Sequence, residues 1–149
     1  MRKIFFIMLL LLSSCGFEPI YTNKNILNLE FKKISLSGEN NINEMIIRNL
    51  NLKLNQENES LNEIKINSVY NVNETLKSSQ GIAETLNSSI TVNLSILDNK
   101  DLLTNKTFSK NFSYNNKNNK FELVSYQNEI KLNLINEIVK EIILFLNTK

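Results

Sequence analysis

The only thiol of the chain, Cys15, follows an apolar run in the stretch "LLLLSSCGFEPIY", Leu9 to Tyr21, which also holds the only proline, Pro19. A thiol can attack a substrate, ligate a metal or receive a covalent group, and the first two roles need partners. The 149 residues include no histidine, so a nucleophile with a histidine base and a zinc site of the Cys/His type are both excluded. One Cys also rules out a disulfide within the chain. Aspartate occurs only at Asp98 and Asp101, which flank a turn, where Asp is ordinary turn chemistry. The glutamates are scattered over polar faces, and Gly16, Gly38 and Gly81 are isolated, so no phosphate-cradling loop exists. The expectation is a protein that is not an enzyme, with no cofactor and no metal. Cys15 is then a place where something is attached.

The residues before it say what is done there. Met1, Arg2 and Lys3 are a charged start, Ile4 to Leu12 an apolar middle, and Ser13 and Ser14 a small-residue end, the three parts of an export signal. A bilayer span needs about 20 apolar residues, more than this run provides, so the segment is expected to be removed. Leu12-Ser13-Ser14-Cys15 resembles the bacterial lipobox. In that class of signal the Cys sulfur takes a diacylglyceryl group, the chain is cut before it, and the new amine is acylated. Each buried methylene of such chains contributes about 0.8 kcal/mol, so the covalent lipid on Cys15 would be a firm membrane anchor. The expected division is a signal peptide over 1–14, a lipidated tether over 15–25 and one domain over 26–149. Cleavage removes Arg2 and Lys3 from the 17 basic residues, which leaves 15 against 15 acidic ones and a formally neutral product. Gly16, rather than Asp, after the Cys resembles the sorting habit of Gram-negative lipoproteins kept at the outer membrane, facing the periplasm. Nucleic acid is not an expected partner of an exported neutral domain.

One local charge excess remains. Between Asn99 and Lys120 stand Lys100, Lys106, Lys110, Lys117 and Lys120 against Asp101 alone, a balance of +4. Lys106, Lys110 and Lys117 are candidate contacts for an anionic, phosphorylated lipid or an acidic partner. The alternative is an edge strand on which lysines discourage pairing with other chains.

The elements that position these residues follow from hydrophobic periodicity. Leu27, Leu29 and Phe31, then Ile34 and Leu36 in the opposite phase, predict a strand with a bulge near Lys32 and Lys33, ended by Gly38. Asn40 or Asn41 would cap a helix, Glu44 completing a capping box, with Ile42, Met45, Ile46 and Leu50 on one face and Leu54 extending it. Asn55 to Asn62 reads as a loop. Ile64, Ile66, Tyr70, Val72 and Leu76 alternate with polar residues, as do Leu86, Ile90, Val92, Leu94 and Ile96, giving two long strands joined around Ser78 to Gly81. A third strand carries Phe108, Phe112 and Tyr114 on one face, interrupted by Lys110. After Asn115 to Asn119, Leu123, Tyr126, Ile130, Leu134, Ile138, Ile142 and Phe145 form a helical stripe. The expected fold is α+β: a two-layer sandwich with two helices on one face of a four-stranded, mixed but mostly antiparallel sheet, in the order β-α-β-β-β-α. Polar outer faces imply that the second face of the sheet is left uncovered.

Three stretches, "CGFEPIY", "GIAETLNSSITVNLSILD" and "FSYNNKNNKFELVSYQNEIKLNLINEIVKEIILFL", together resemble the LPS-assembly lipoprotein family, LptE, in its alphaproteobacterial form. They cover most of the mature chain in the family's order. The resemblance implies an outer-membrane lipoprotein that binds the LPS-transport β-barrel of the LptD type, helps it assemble, plugs its lumen and has LPS as a further ligand. The alternative is another small outer-membrane lipoprotein, accessory to a lipid transporter or a barrel-assembly machine.

Overall fold

The first extended segment breaks at Lys32, and its two halves join different sheets. Residues 29–98 and 101–148 are described by a computed structural model; the export segment, Cys15 and the tether lie outside them. Strand β1 (Glu30–Phe31) pairs in parallel with β3 (Lys53–Leu54), whereas β2 (Lys33–Gly38) pairs in parallel with β4 (Glu63–Lys77). The expected bulge is therefore a crossing between sheets. It lets both Phe31 and Ile34 turn toward one core, although they lie at opposite strand phases. The Lys32 amide donates to the Asn62 carbonyl at 2.9 Å across the break.

Gly38 ends β2 because no other residue fits. Its φ is +81°, and a Cβ there would stand 1.9 Å from the Ser68 carbonyl oxygen. The next amide, Glu39, donates to that oxygen at 3.0 Å, and the Ser68 hydroxyl donates to the Glu39 carbonyl at 3.1 Å. This closure sets where helix α1 (Asn40–Leu50) begins. Glu39 is held extended as the N-cap, without a side-chain capping bond, so Asn40 and Asn41 already lie inside the helix and the expected capping box is not formed. The helix buries Ile42, Ile46 and Leu50 and also Asn43, whose Nδ2 donates to the Ser37 carbonyl at 2.7 Å. At its end Asn51 takes a left-handed conformation (φ 51°), and its amide and that of Leu52 return to the Arg48 and Ile47 carbonyls. Leu54 is thereby taken off the helical stripe into β3, where it is exposed.

The larger sheet has the order β2-β4-β5-β6, with β5 (Ala83–Asp98) and β6 (Asp101–Asn115). The β4–β5 and β5–β6 pairs are antiparallel, and only β2–β4 is parallel, joined through α1 as a crossover. Helix α2 (Lys120–Asn147) closes the chain, its first turn capped by the Asn119 side chain, which accepts from the Phe121 and Glu122 amides. It lies over β5 and β6, while α1 lies over β2 and β4. Both helices cover the same sheet face, as the alternation demands. Ile64, Ile66, Ile90, Val92 and Leu94 from the sheet meet Ile42 and Ile46 of α1 and Ile135, Ile138 and Ile142 of α2, all at most 1% exposed. Burial of each such side chain contributes about 1.5–3 kcal/mol.

Four strand residues of the expected core face stay exposed: Leu36 on the edge strand β2, Val72, Leu76 and Phe112. The reason is reach. The last residues of β4 run past both helices, a bulge near Glu74 and Leu76 turns the strand, and Phe112 sits on the edge strand β6.

Candidate interaction surface

The uncovered face of the sheet is free of charge at its centre, with Lys33, Glu63 and Lys65 on the same side at one end of β2 and β4. Every second residue from Asn67 to Asn73 in β4, Thr85 to Ser95 in β5 and Asn105 to Asn115 in β6 points to this face, and each is Asn, Ser or Thr except Val69. The register sets these side chains opposite one another, and they bond across the strands. Asn87 Nδ2 donates to Ser113 Oγ at 2.8 Å, and Thr107 Oγ1 donates to Asn93 Oδ1 at 2.7 Å. Thr91 and Ser109 hydroxyls meet at 3.1 Å. Such cross-strand pairs contribute about 0.2–1 kcal/mol each. Their larger effect is to hold a flat array of amides and hydroxyls in fixed directions, with donor and acceptor capacity left over for a partner.

A second polar feature lies between sheet and helices. Ser88 is fully buried, and its hydroxyl stands 3.2 Å from the Tyr70 hydroxyl and 3.0 Å from that of Tyr114, to which Gln127 Nε2 donates at 2.9 Å. The Tyr114 and Tyr126 rings meet edge to face, and the Lys131 ammonium stands 4.8 Å from the Tyr70 ring centroid. Four side chains from β4, β5, β6 and α2 thus satisfy one another at the point where the apolar core thins toward the strand ends. Sequence reasoning missed this network. Its signal was Ser88 at an inward position of an otherwise apolar register, between Leu86 and Ile90 on the same face.

The three candidate lysines are not gathered. Lys106 pairs in register with Leu94 and Lys110 with Ile90, which puts both on the helix side of the edge strand β6. Lys110 forms a salt bridge with Glu141 of α2. That hydrogen bond holds the Lys110 ammonium above the usual lysine range; desolvation opposes it, and the charges of Glu141 and Glu137 add to it. Lys117 lies beyond the end of β6, its ammonium 4.8 Å from the centroid of the Tyr126 ring. Lys106 and the end of β6 are separated by about 30 Å of strand. Lys106 and Lys110 are inward-pointing charges on an edge strand, an arrangement that disfavours pairing with a further strand. Cys15 and Lys100 lie outside the described residues.

The arrangement as a whole, two helices on one side of a mixed sheet and an open polar face on the other, defines an α+β two-layer sandwich. The same fold occurs in bacterial lipoproteins of the rare lipoprotein B type. It is similar to rare lipoprotein B from Shewanella oneidensis, with a TM-score of 0.52 and 11% identity over 78% of this chain and 92% of that one. Similar values relate it to a minor lipoprotein from Acinetobacter baumannii: 0.52 and 15%, over 76% and 89% of the two chains. For lipoprotein B from Nitrosomonas europaea they are 0.55 and 12%, over 78% and 83%. At these identities the fold is what is shared. No family model and no curated protein matches the sequence.

Proposed function

We propose that this chain is a lipid-anchored protein of the outer membrane, facing the periplasm. In this reading it binds, helps assemble and plugs the LPS-transport β-barrel, the role of LptE toward a barrel of the LptD type. The observation that carries the reading is the Asn/Ser/Thr centre of the open face, where no charge stands. The interior of an outer-membrane barrel is polar. A face of amides and hydroxyls can exchange its water for hydrogen bonds to such a wall, without the desolvation cost of buried charges. The lipobox at Cys15 and the "CGFEPIY" stretch support the anchor, and the fold shared with lipoproteins supports the class by analogy. Work of this kind asks for no catalytic group, only for complementary surfaces. LPS contact through Lys106, Lys110 and Lys117 belongs to the same proposal, with Lys106 and Lys117 the better placed because Lys110 is engaged by Glu141.

The test is affinity isolation from membranes with Cys15 intact. The expected co-purifying partner is an LPS-transport barrel. Recovery of a barrel-assembly machine or a component of an ABC-type transporter in its place would overturn the reading.

A further inference from the structure

The two margins of the larger sheet are finished differently. On β6, Lys106 and Lys110 point inward along the edge. On the other side β2 is only six residues long and stops at Gly38, opposite Ser68, while β4 continues to Lys77. Past Ser68 that side of β4 has no neighbouring strand among the described residues. The Ser68 carbonyl points to this side, since it accepts from Glu39. By the two-residue alternation of a strand, the amides and carbonyls of Tyr70 and Val72 point the same way. The stretch Val69 to Asn73 contains no lysine, no proline and no bulge, which begins only at Glu74. Its side chains favour strand pairing: Val69 and Val72 are β-branched, and they stand exposed on opposite faces. Val69 is also the single apolar residue among the outward positions 67–73, 85–95 and 105–115, and it lies beside this bare margin.

Resting on the barrel-partner reading above, we propose that Val69 to Asn73 is a strand-addition site. Its occupant is an extended, uncharged segment of the barrel partner, which continues the line of β2 beyond Gly38. The segment takes main-chain hydrogen bonds from Tyr70 and Val72 and sets an apolar side chain beside each valine. Charges beside the edge are already engaged: Glu74 and Lys77 neutralise each other at 2.9 Å, and the Lys131 ammonium lies over the Tyr70 ring. A charged segment would therefore gain nothing there. A second copy of this chain is the poorer occupant. Five residues of strand reach about 17 Å, and a single ladder of that length buries far less than the about 1,200 Å² of a stable interface. A segment belonging to a larger contact needs no such area at this one place.

The experiment is hydrogen exchange of the full lipidated chain, alone and co-purified with the barrel. The Tyr70 and Val72 amides should exchange freely in the chain alone and at least about tenfold more slowly in the complex. Val72→Pro removes only an edge-facing donor and should leave melting unchanged, while weakening barrel binding about three- to tenfold. Val72→Thr keeps the donor and the branched side chain and should bind within about twofold of the parent. A complex that forms with these amides still exchanging freely overturns the inference and leaves the barrel reading standing. Protection already present in the chain alone also overturns it, since the edge would then be covered from within. Absence of any complex removes the barrel reading and this inference with it.

Discussion

Replacing Ser88 by alanine isolates the buried hydroxyl network from the packing around it. The Cβ is kept, so almost no cavity opens, and what is lost is the oxygen between Tyr70 and Tyr114, at 3.2 and 3.0 Å. Each such bond contributes a net of about 1 kcal/mol, and a buried group deprived of its partner costs about 1–3 kcal/mol. Tyr114 keeps the Gln127 donor and is not orphaned, and Tyr70 is only half-buried, so water can reach it. The expected loss is therefore about 1–3 kcal/mol. With an unfolding entropy near 2.1 cal/mol/K per residue and about 120 folded residues, that lowers Tm by about 4–12 °C. Calorimetry of the purified protein reads this directly. Combining Ser88→Ala with Tyr114→Phe should cost about 1 kcal/mol less than the two single changes summed, because they break a shared bond. A Tm for Ser88→Ala within about 1 °C of the parent, or strict additivity in the pair, would refute the account of this network.

Other consequences are as concrete. Gly38→Ala forces a Cβ to within 1.9 Å of the Ser68 carbonyl at a φ of +81°. It should cost about 3 kcal/mol or more, read from urea unfolding. Cys15→Ala should abolish acylation and cleavage together, visible as a precursor mass without lipid; a variant still lipidated and membrane-bound would sink the anchor assignment. Changing Lys106, Lys110 and Lys117 together to Gln should weaken LPS binding in titration calorimetry, and unchanged binding would leave these lysines with edge protection as their only role.

The alternation in Glu63–Lys77 and Ala83–Asp98, and the stripe from Ile130 to Ile142, make the sheet, its covered face and the closing helix legible in the sequence alone. Those segments are long, and their period is decided by burial on one side only. What the sequence hid was set by contacts between distant residues. Asn40 and Asn41 look like caps, yet the bond between Glu39 and Ser68, 29 residues away, starts the helix one position earlier. Leu54 continues a helical period on paper, but Asn51 has already ended the helix and Leu54 pairs with Phe31. Val72 and Leu76 keep strand parity while no helix reaches them, since alternation reports the side of a sheet and not how far its cover extends. The open face was legible as polar. That its centre, from Asn67 to Asn73 in β4 and across β5 and β6, carries no charge emerged only from the register, which places Asn67 beside Asn93 and Asn93 beside Thr107.

The proposed role requires that the uncharged centre of the open face meet the wall of a barrel. It is tested by the affinity of the purified chain for the LPS-transport barrel when charge is placed on one face or the other. Thr91→Lys with Asn111→Lys puts two ammonium groups at the centre of the open face, and each unpaired buried charge should lower affinity by tenfold or more, on the order of 1.4 kcal/mol each. Asn133→Lys with Asn136→Lys adds the same charge to the exposed side of α2 and should leave affinity within about twofold. Equal losses in both variants, or full affinity with the open face charged, would contradict the account.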